Sequence, residues 1–314
     1  MRKPSFPNPT GQLLWGLLLL SVVGCEHVGH LVSNGVLITD AMGLSAVDLA
    51  GPGPQVVFSE RIEVNLRGES LEIALYEPVK TKTPLPAVVF LPGLMATDDQ
   101  YDSYARALAS RGFVVALHGW YSPFLSDIKL ARDARLIAEW LVLTERADAA
   151  RIGVAGHSMG GKDAVLSALQ NGRVAAVVAI DPDDYGTPSV AQGPIGQLRV
   201  PLLLIGGEVG WQAASVCAPK ETNYQRFFES APIGSIELTL RNADHVQMLD
   251  EPDRFGYDIC RSGTADSRQA RITARRAVVE FFMHYLQGGV AMVTPPTSQA
   301  IVRVVKTPRT SFSE

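Results

Sequence analysis

The run Gly156-His157-Ser158-Met159-Gly160-Gly161 places a serine hydroxyl between glycines two positions away on either side. It follows the expected strand Arg151 to Ala155 and precedes the helix-forming Lys162-Asp163-Ala164-Val165-Leu166. A serine hydroxyl is a weak nucleophile at neutral pH, and becomes effective when a base removes its proton and a sharp turn projects it over a sheet. Gly156 and Gly160 fit such a turn because a Cβ there would collide with neighbouring backbone. The helix N-terminus behind Ser158 favours negative charge developing on a bound group. Ser158 is therefore the candidate nucleophile.

The same chemistry needs a base and an acid. The sequence holds six histidines. His27 and His30 lie in a Gly-rich N-terminal stretch and, with no third ligand nearby, are assigned no metal role. His118 follows an early strand, and His284 falls in the last helix. His157 is expected to pack beneath the turn, because neighbouring side chains on a sharp turn point apart. His245 follows the last long strand, in Asn242-Ala243-Asp244-His245. Two strand ends offer acids: Asp181 directly after Val174 to Ile180, and Glu208 in Gly206-Gly207-Glu208 after Leu202 to Ile205.

These residues need a scaffold. Val56 to Val64 and Leu71 to Tyr76 alternate around Arg67-Gly68-Glu69, which predicts an antiparallel hairpin at a sheet edge. The runs 87–91, 113–117, 152–155, 174–180, 202–205 and 236–240 are short and apolar on both faces, as parallel strands covered by helices are. Helix-length segments separate them: 99–111, 126–145, 159–170, 223–229 and 269–286. In the second, Ser126 is placed to cap, and Ile128, Ala131, Ala134, Ala138 and Leu141 recur at three-to-four spacing as a buried stripe. This alternation predicts an α/β fold with a mostly parallel sheet, whose working residues sit at the carboxyl ends of strands.

Composition narrows the function. With 46% hydrophobic and 19% charged residues, the 314-residue chain can bury a sizeable core, which excludes disorder over most of its length. Its 28 Lys and Arg against 32 Asp and Glu leave a net charge of −4 with no basic run, so nucleic acid is not an expected partner. Three cysteines without a CxxC pair, and the lack of HExxH, argue against a zinc module, and no metal is expected.

From about residue 56 to 286 the sequence resembles the α/β-hydrolase family. That resemblance implies a Ser, an acid and a His in this chain order, with His245 as base and an oxyanion hole built partly from the turn Phe90-Leu91-Pro92-Gly93-Leu94. The amides of Leu94 and Met159 would supply it. Met95, Trp120, Tyr121 and Trp211 are candidate walls for an apolar substrate group.

A closer likeness rests on Gly156-His157-Ser158 with Gly160-Gly161-Lys162, Ile180-Asp181-Pro182, Cys217-Ala218-Pro219 with Asn223 and Phe227-Phe228, and Asp244-His245-Val246-Gln247-Met248-Leu249-Asp250. These segments are similar to the chlorophyllase branch, and to platelet-activating-factor acetylhydrolases and cutinase-like enzymes. The likeness ranks Asp181 ahead of Glu208 as the acid, with Asp183 and Asp184 as loop acids. It implies cofactor-free hydrolysis of carboxylic esters. Met159 stands where plant chlorophyllases carry Arg, and Pro92 where a His is common. An acyltransferase or peptidase could use the same residues, and a catalytically silent binding module is the reading from a different class.

The ends read differently. Arg2 and Lys3, an apolar stretch from Leu13 to Val23 too short to span a bilayer, and Val22-Val23-Gly24-Cys25 resemble a bacterial lipoprotein signal. Residues 1–24 are then a signal peptide, and Cys25 carries the lipid that holds the exported chain on a membrane facing the periplasm or exterior. Plain secretion is the alternative. Residues 25–54 read as a tether, 55–288 as the hydrolase domain and 289–314 as a C-terminal tail. Cys217 and Cys260 remain and could bridge in an oxidising compartment.

Overall fold

A computed structural model describes residues 49, 51–79, 84–119, 126–212, 216–288 and 300–304, the side chains of residues 211 and 212 excepted. The signal segment, Cys25, most of the tether, Trp120 and Tyr121 lie outside the described residues, as does the side chain of Trp211. The strands are β1 (Val57–Leu66), β2 (Glu69–Pro78), β3 (Leu85–Leu91), β4 (Val114–His118), β5 (Ala147–His157), β6 (Val174–Ile180), β7 (Leu202–Gly207), β8 (Ile236–Leu240) and β9 (Ala300–Val304). The helices are α1 (Asp102–Ala109), α2 (Asp127–Leu143), α3 (Met159–Gln170), α4 (Val209–Gln212), α5 (Tyr224–Ser230) and α6 (Ser267–Phe282).

The described strands form one nine-stranded sheet in the order β1-β2-β4-β3-β5-β6-β7-β8-β9. The pairs from β4 through β8 are parallel, and β1, β2 and β9 run antiparallel to their neighbours. The β1–β2 hairpin closes through Arg67 and Gly68, both at positive φ, as a two-residue turn matching strand twist requires.

Alternation along the central strands builds two cores. Val88, Phe90, Val115, Leu117, Ala155 and Val178 face α1 and α6, whereas Val89, Leu91, Val114, Ala116, Val154 and Val177 face α2, α3 and α5. Because helices cover both faces, neither face of these strands needs polar residues. Phe281 and Phe282 of α6 are fully buried, each contributing about 2–3 kcal/mol relative to exposure. This is the mixed α/β-hydrolase arrangement with an antiparallel N-terminal hairpin.

Three expectations need correction. In α2, Ser126 does cap, accepting a hydrogen bond from the Lys129 N–H, but Ile128 is exposed and Asp127 is buried in its place. The cause is Lys162, whose buried ammonium donates to Asp127 Oδ2 at 2.7 Å and turns that side of the first helical turn inward. The described end of the tether is packed on the domain: Leu49 lies in the α1 and α6 core, Gly53 N–H donates to Ser110 Oγ, and Arg111 donates to the Gly51 carbonyl. In the C-terminal tail, residues 300–304 form β9, held to β8 by the ladder and by the Arg303–Glu237 ion pair.

Candidate active site

The turn carrying Ser158 is dictated by its glycines. A Cβ on Gly156 would lie 2.1 Å from the Gly160 carbonyl oxygen, and one on Gly160 would lie 2.3 Å from that of Pro92. Only glycine permits such approaches, and they bring β5, α3 and the turn after β3 together. Ser158 itself sits at φ 57°, ψ −127°, a conformation that costs roughly 1–3 kcal/mol and persists where its surroundings overdetermine it. Those surroundings are hydrogen bonds from the Ser158 N–H to Ile180 O, and from Gly161 and Asp183 N–H to Ser158 O.

Asp181 is also strained, at φ 40°, one residue beyond β6. Its N–H donates to Ile205 O at 2.5 Å, and its Oδ1 accepts from Gly207 N–H at 3.0 Å. Both contacts are to β7, so the neighbouring strand aims this carboxylate. Oδ2 accepts from His245 Nδ1 at 2.7 Å, with both residues buried. His245 Nε2 is then the ring nitrogen with no hydrogen-bond partner among the described residues. Glu208 is directed elsewhere: its Oε2 accepts from Asn242 N–H at 2.8 Å. The structure thus brings Asp181, not Glu208, to His245.

The loop bearing His245 is held by the residue just before it, to which the sequence reading gives no role of its own. The buried Asp244 carboxylate accepts four main-chain hydrogen bonds: Val246 and Gln247 N–H on Oδ1, Ser262 and Gly263 N–H on Oδ2. Gln247 Oε1 accepts from the Asp244 N–H, and its Nε2 donates to Ala265 O and Ser267 Oγ. An Asp followed three residues later by Gln was the available signal, but its four partners include residues 18 and 19 positions away.

The turn after β3 lies against Ser158, since a Cβ on Gly93 would come within 3.1 Å of Ser158 Cβ. Ala96 N–H donates to Gly93 O, and the N–H groups of Leu94 and Met159 donate to nothing among the described residues. Leu94 and Met95 are exposed at the edge of the turn, Met95 at φ 61°. His157 is buried beneath, its ring centroid 4.5 Å from that of His245. Burial, and then the neighbouring His245, hold His157 well below the usual imidazole range, so it is neutral.

The loop acids behave separately. Asp184 accepts from Ser189 Oγ and the Val190 and Ala191 N–H groups, and so shapes its own loop. Burial raises the Asp183 carboxyl, against the lowering effect of its Thr222 hydrogen bond. Cys217 and Cys260 form a disulfide with Cα atoms 5.3 Å apart, linking the loop after α4 to the one after β8. No group of three or more His, Cys, Asp and Glu converges as metal ligands among the described residues.

Chemically, the arrangement offers a hydroxyl on a strained turn, an imidazole oriented by a buried carboxylate, and two amides at the edge of that turn. A family model for chlorophyllase matches residues 60–303. The chain belongs to the chlorophyllase family. It is 25% identical over 220 residues to chlorophyllase type 0 of Chenopodium album, covering 59% of this chain and 63% of that one. It is 27% identical over 179 residues to cutinase 2 of Thermobifida cellulosilytica, covering 54% and 64%. With the cutinase cut1 of Thermobifida fusca it shares 27% over 179 residues, covering 54% and 52%. The chain therefore spans less than two thirds of the length of these curated relatives.

Proposed function

We propose that the protein is a serine hydrolase that cleaves carboxylic esters through an acyl-enzyme on Ser158. The observation carrying this reading is the buried hydrogen bond between Asp181 Oδ2 and His245 Nδ1, at strand ends beside the Ser158 turn. His245 Nε2 takes the hydroxyl proton as Oγ attacks the ester carbonyl, while Asp181 holds the imidazole tautomer and offsets the imidazolium charge. The Leu94 and Met159 amides donate to the tetrahedral oxyanion, each worth about 3 kcal/mol in the transition state. The alcohol leaves with the proton from His245. A water molecule, deprotonated by the same nitrogen, then releases the acid.

The relatives named chlorophyllase and cutinase support an ester as substrate. Leu94 and Met95, exposed at the edge of the oxyanion turn, suit an ester with an apolar acyl or alcohol group. We further infer from residues 22–25 that the chain is exported and lipid-anchored through Cys25, and the Cys217–Cys260 disulfide accords with an oxidising compartment. Radiolabelled palmitate incorporation that disappears in Cys25→Ser tests the anchor.

Hydrolysis of a series of p-nitrophenyl acyl esters, wild type beside Ser158→Ala, tests the chemistry. The substitution is expected to lower kcat by at least about 10³-fold. Folded wild-type protein without turnover on any ester would remove the reading.

A further inference from the structure

Beneath the proposed site, three hydrogen bonds join four polar groups in a line. Gly93 N–H donates to Tyr101 Oη at 2.9 Å, Tyr101 Oη lies 3.1 Å from His157 Nδ1, and His157 Nε2 lies 3.0 Å from the His245 carbonyl oxygen. Chemistry fixes the direction of every proton in it. A main-chain amide can only donate and a carbonyl oxygen can only accept, so His157 must carry its proton on Nε2. A neutral imidazole protonated there presents a lone pair on Nδ1, which the Tyr101 hydroxyl must satisfy by donating. The tyrosine oxygen is then free to accept from Gly93. One arrangement satisfies all of these donors and acceptors, and it requires a neutral His157.

The neighbourhood enforces that arrangement. Tyr101 and His157 are both buried, and burial with the adjacent His245 keeps the His157 ring uncharged. The Tyr101 ring rests on Phe90 with centroids 4.8 Å apart, and the His157 ring packs on His245. A protonated His157 would aim a second N–H at the Tyr101 oxygen and leave the tyrosine proton without an acceptor.

We propose that Tyr101 and His157 are positioning residues, a one-way hydrogen-bonded strut that locks the oxyanion turn to the main chain of the catalytic base. The strut rests on the serine-hydrolase reading for its purpose, since it joins the two parts that must act on one tetrahedral centre. Gly93 is held at both of its backbone groups, the N–H by Tyr101 and the C=O by Ala96 N–H. Because Gly93 C=O and Leu94 N–H share one planar peptide, these two bonds set the direction in which the Leu94 amide points. At the other end, His157 fixes the carbonyl of the residue whose ring takes the proton. Preorganised donors accelerate a reaction because they need no rearrangement as charge develops.

Tyr101→Phe keeps the ring and its packing and removes the hydroxyl. With p-nitrophenyl butyrate as substrate, kcat is expected to fall roughly 10- to 100-fold with little change in KM, because the loss falls on transition-state geometry. The inhibition constant of an alkyl boronic acid, which forms a tetrahedral adduct with the serine oxygen, should rise by the same factor. Tyr101→Phe combined with His157→Phe should cost little more than the worse single change, since both break one chain. Tyr224→Phe, which removes a buried hydroxyl bonded to Thr239 outside this line, should lower thermal stability and leave the boronate affinity unchanged.

Wild-type kcat and boronate affinity in a folded Tyr101→Phe protein would overturn the strut. Histidine-ring NMR of the wild type reads the same chain of bonds independently of turnover: the strut predicts an Nε2–H tautomer for His157 with a proton slow to exchange. An Nδ1–H tautomer or a charged ring at neutral pH would also overturn it. The expected ring spectrum in a protein without esterase activity would sink the serine-hydrolase reading, and with it the strut's purpose in catalysis.

Discussion

The ends of β6 and β7 lie side by side and each presents a carboxylate, yet their surroundings have little in common. Asp181, after β6, is buried and strained, with one oxygen on Gly207 N–H and the other on His245. Glu208, after β7, is partly exposed and accepts from Asn242 N–H. Position past a strand therefore does not assign a role. A short side chain at the strand end, aimed by the neighbouring strand's backbone, reaches the imidazole, whereas one methylene more, on the adjacent strand, braces the loop that carries it.

The comparison breaks first at Asp181. Asp181→Asn retains the shape but cannot hold the charged imidazole or the required tautomer, and should lower kcat for an ester by about 10⁴-fold. Steady-state kinetics on p-nitrophenyl esters measure this. A loss below tenfold would mean that the carboxylate at β6 is not the acid, and that Glu208 must be reconsidered.

The β7 side is tested through stability. Cys217 and Cys260 are 43 positions apart, and removing their link as Cys217→Ser with Cys260→Ser should cost about 4 kcal/mol in the chain-entropy account. Chemical denaturation reads that loss, while kcat measured well below the lowered Tm should stay near the wild-type value. Glu208→Ala comes next. It removes one acceptor from Asn242 N–H and should cost about 1 kcal/mol of stability, with an effect on kcat of less than about tenfold. If Glu208→Ala instead depressed kcat as deeply as Asp181→Asn, the contrast between the two strand ends would disappear.

How much of this the sequence disclosed depends on distance along the chain. The Ser158 turn was legible because its glycines, strand and helix are contiguous, and α3, β6 and β8 occupy the residues their patterns indicated. Position past a strand leaves the acid open between Asp181 and Glu208, and only the family likeness ranks them, because the choice depends on backbone bonds to β7 that no local pattern encodes. Residues 51–53 looked like a linker because glycine and proline mark flexible chain and close packing alike. The strand at 300–304 hid in a polar C-terminal segment because its partner, β8, lies about sixty residues earlier. The parts played by Asp244 and Tyr101 escape local pattern for the same reason, since each bonds to residues distant in sequence. Asp127 shows the limit of periodicity: Ile128 suited the apolar stripe, and a buried lysine from another helix overrode it.

The last test extends the comparison to a third carboxylate, Asp163, on the first turns of α3. Like Asp181 it is buried, but neither of its oxygens has a hydrogen-bond partner among the described residues. Burial, with the nearby Asp127 adding to it, raises the Asp163 carboxyl well above the ordinary value, and Lys162 opposes this only in part. The folded protein therefore keeps a proton that the unfolded chain releases above about pH 4. Stability must then fall as pH rises from there toward the folded-state value, because the unfolded state binds fewer protons across that window. His157 acts with the opposite sign: its depressed folded value makes stability fall as pH drops below about 6.5. Asp163→Asn removes the first effect and leaves the second. Thermal melts from pH 4 to 8 should show the variant losing less Tm than wild type on the alkaline side, with the acid side unchanged. Parallel curves would mean that Asp163 is ionised in the fold, and that an unpartnered buried carboxylate is tolerated here as a charge.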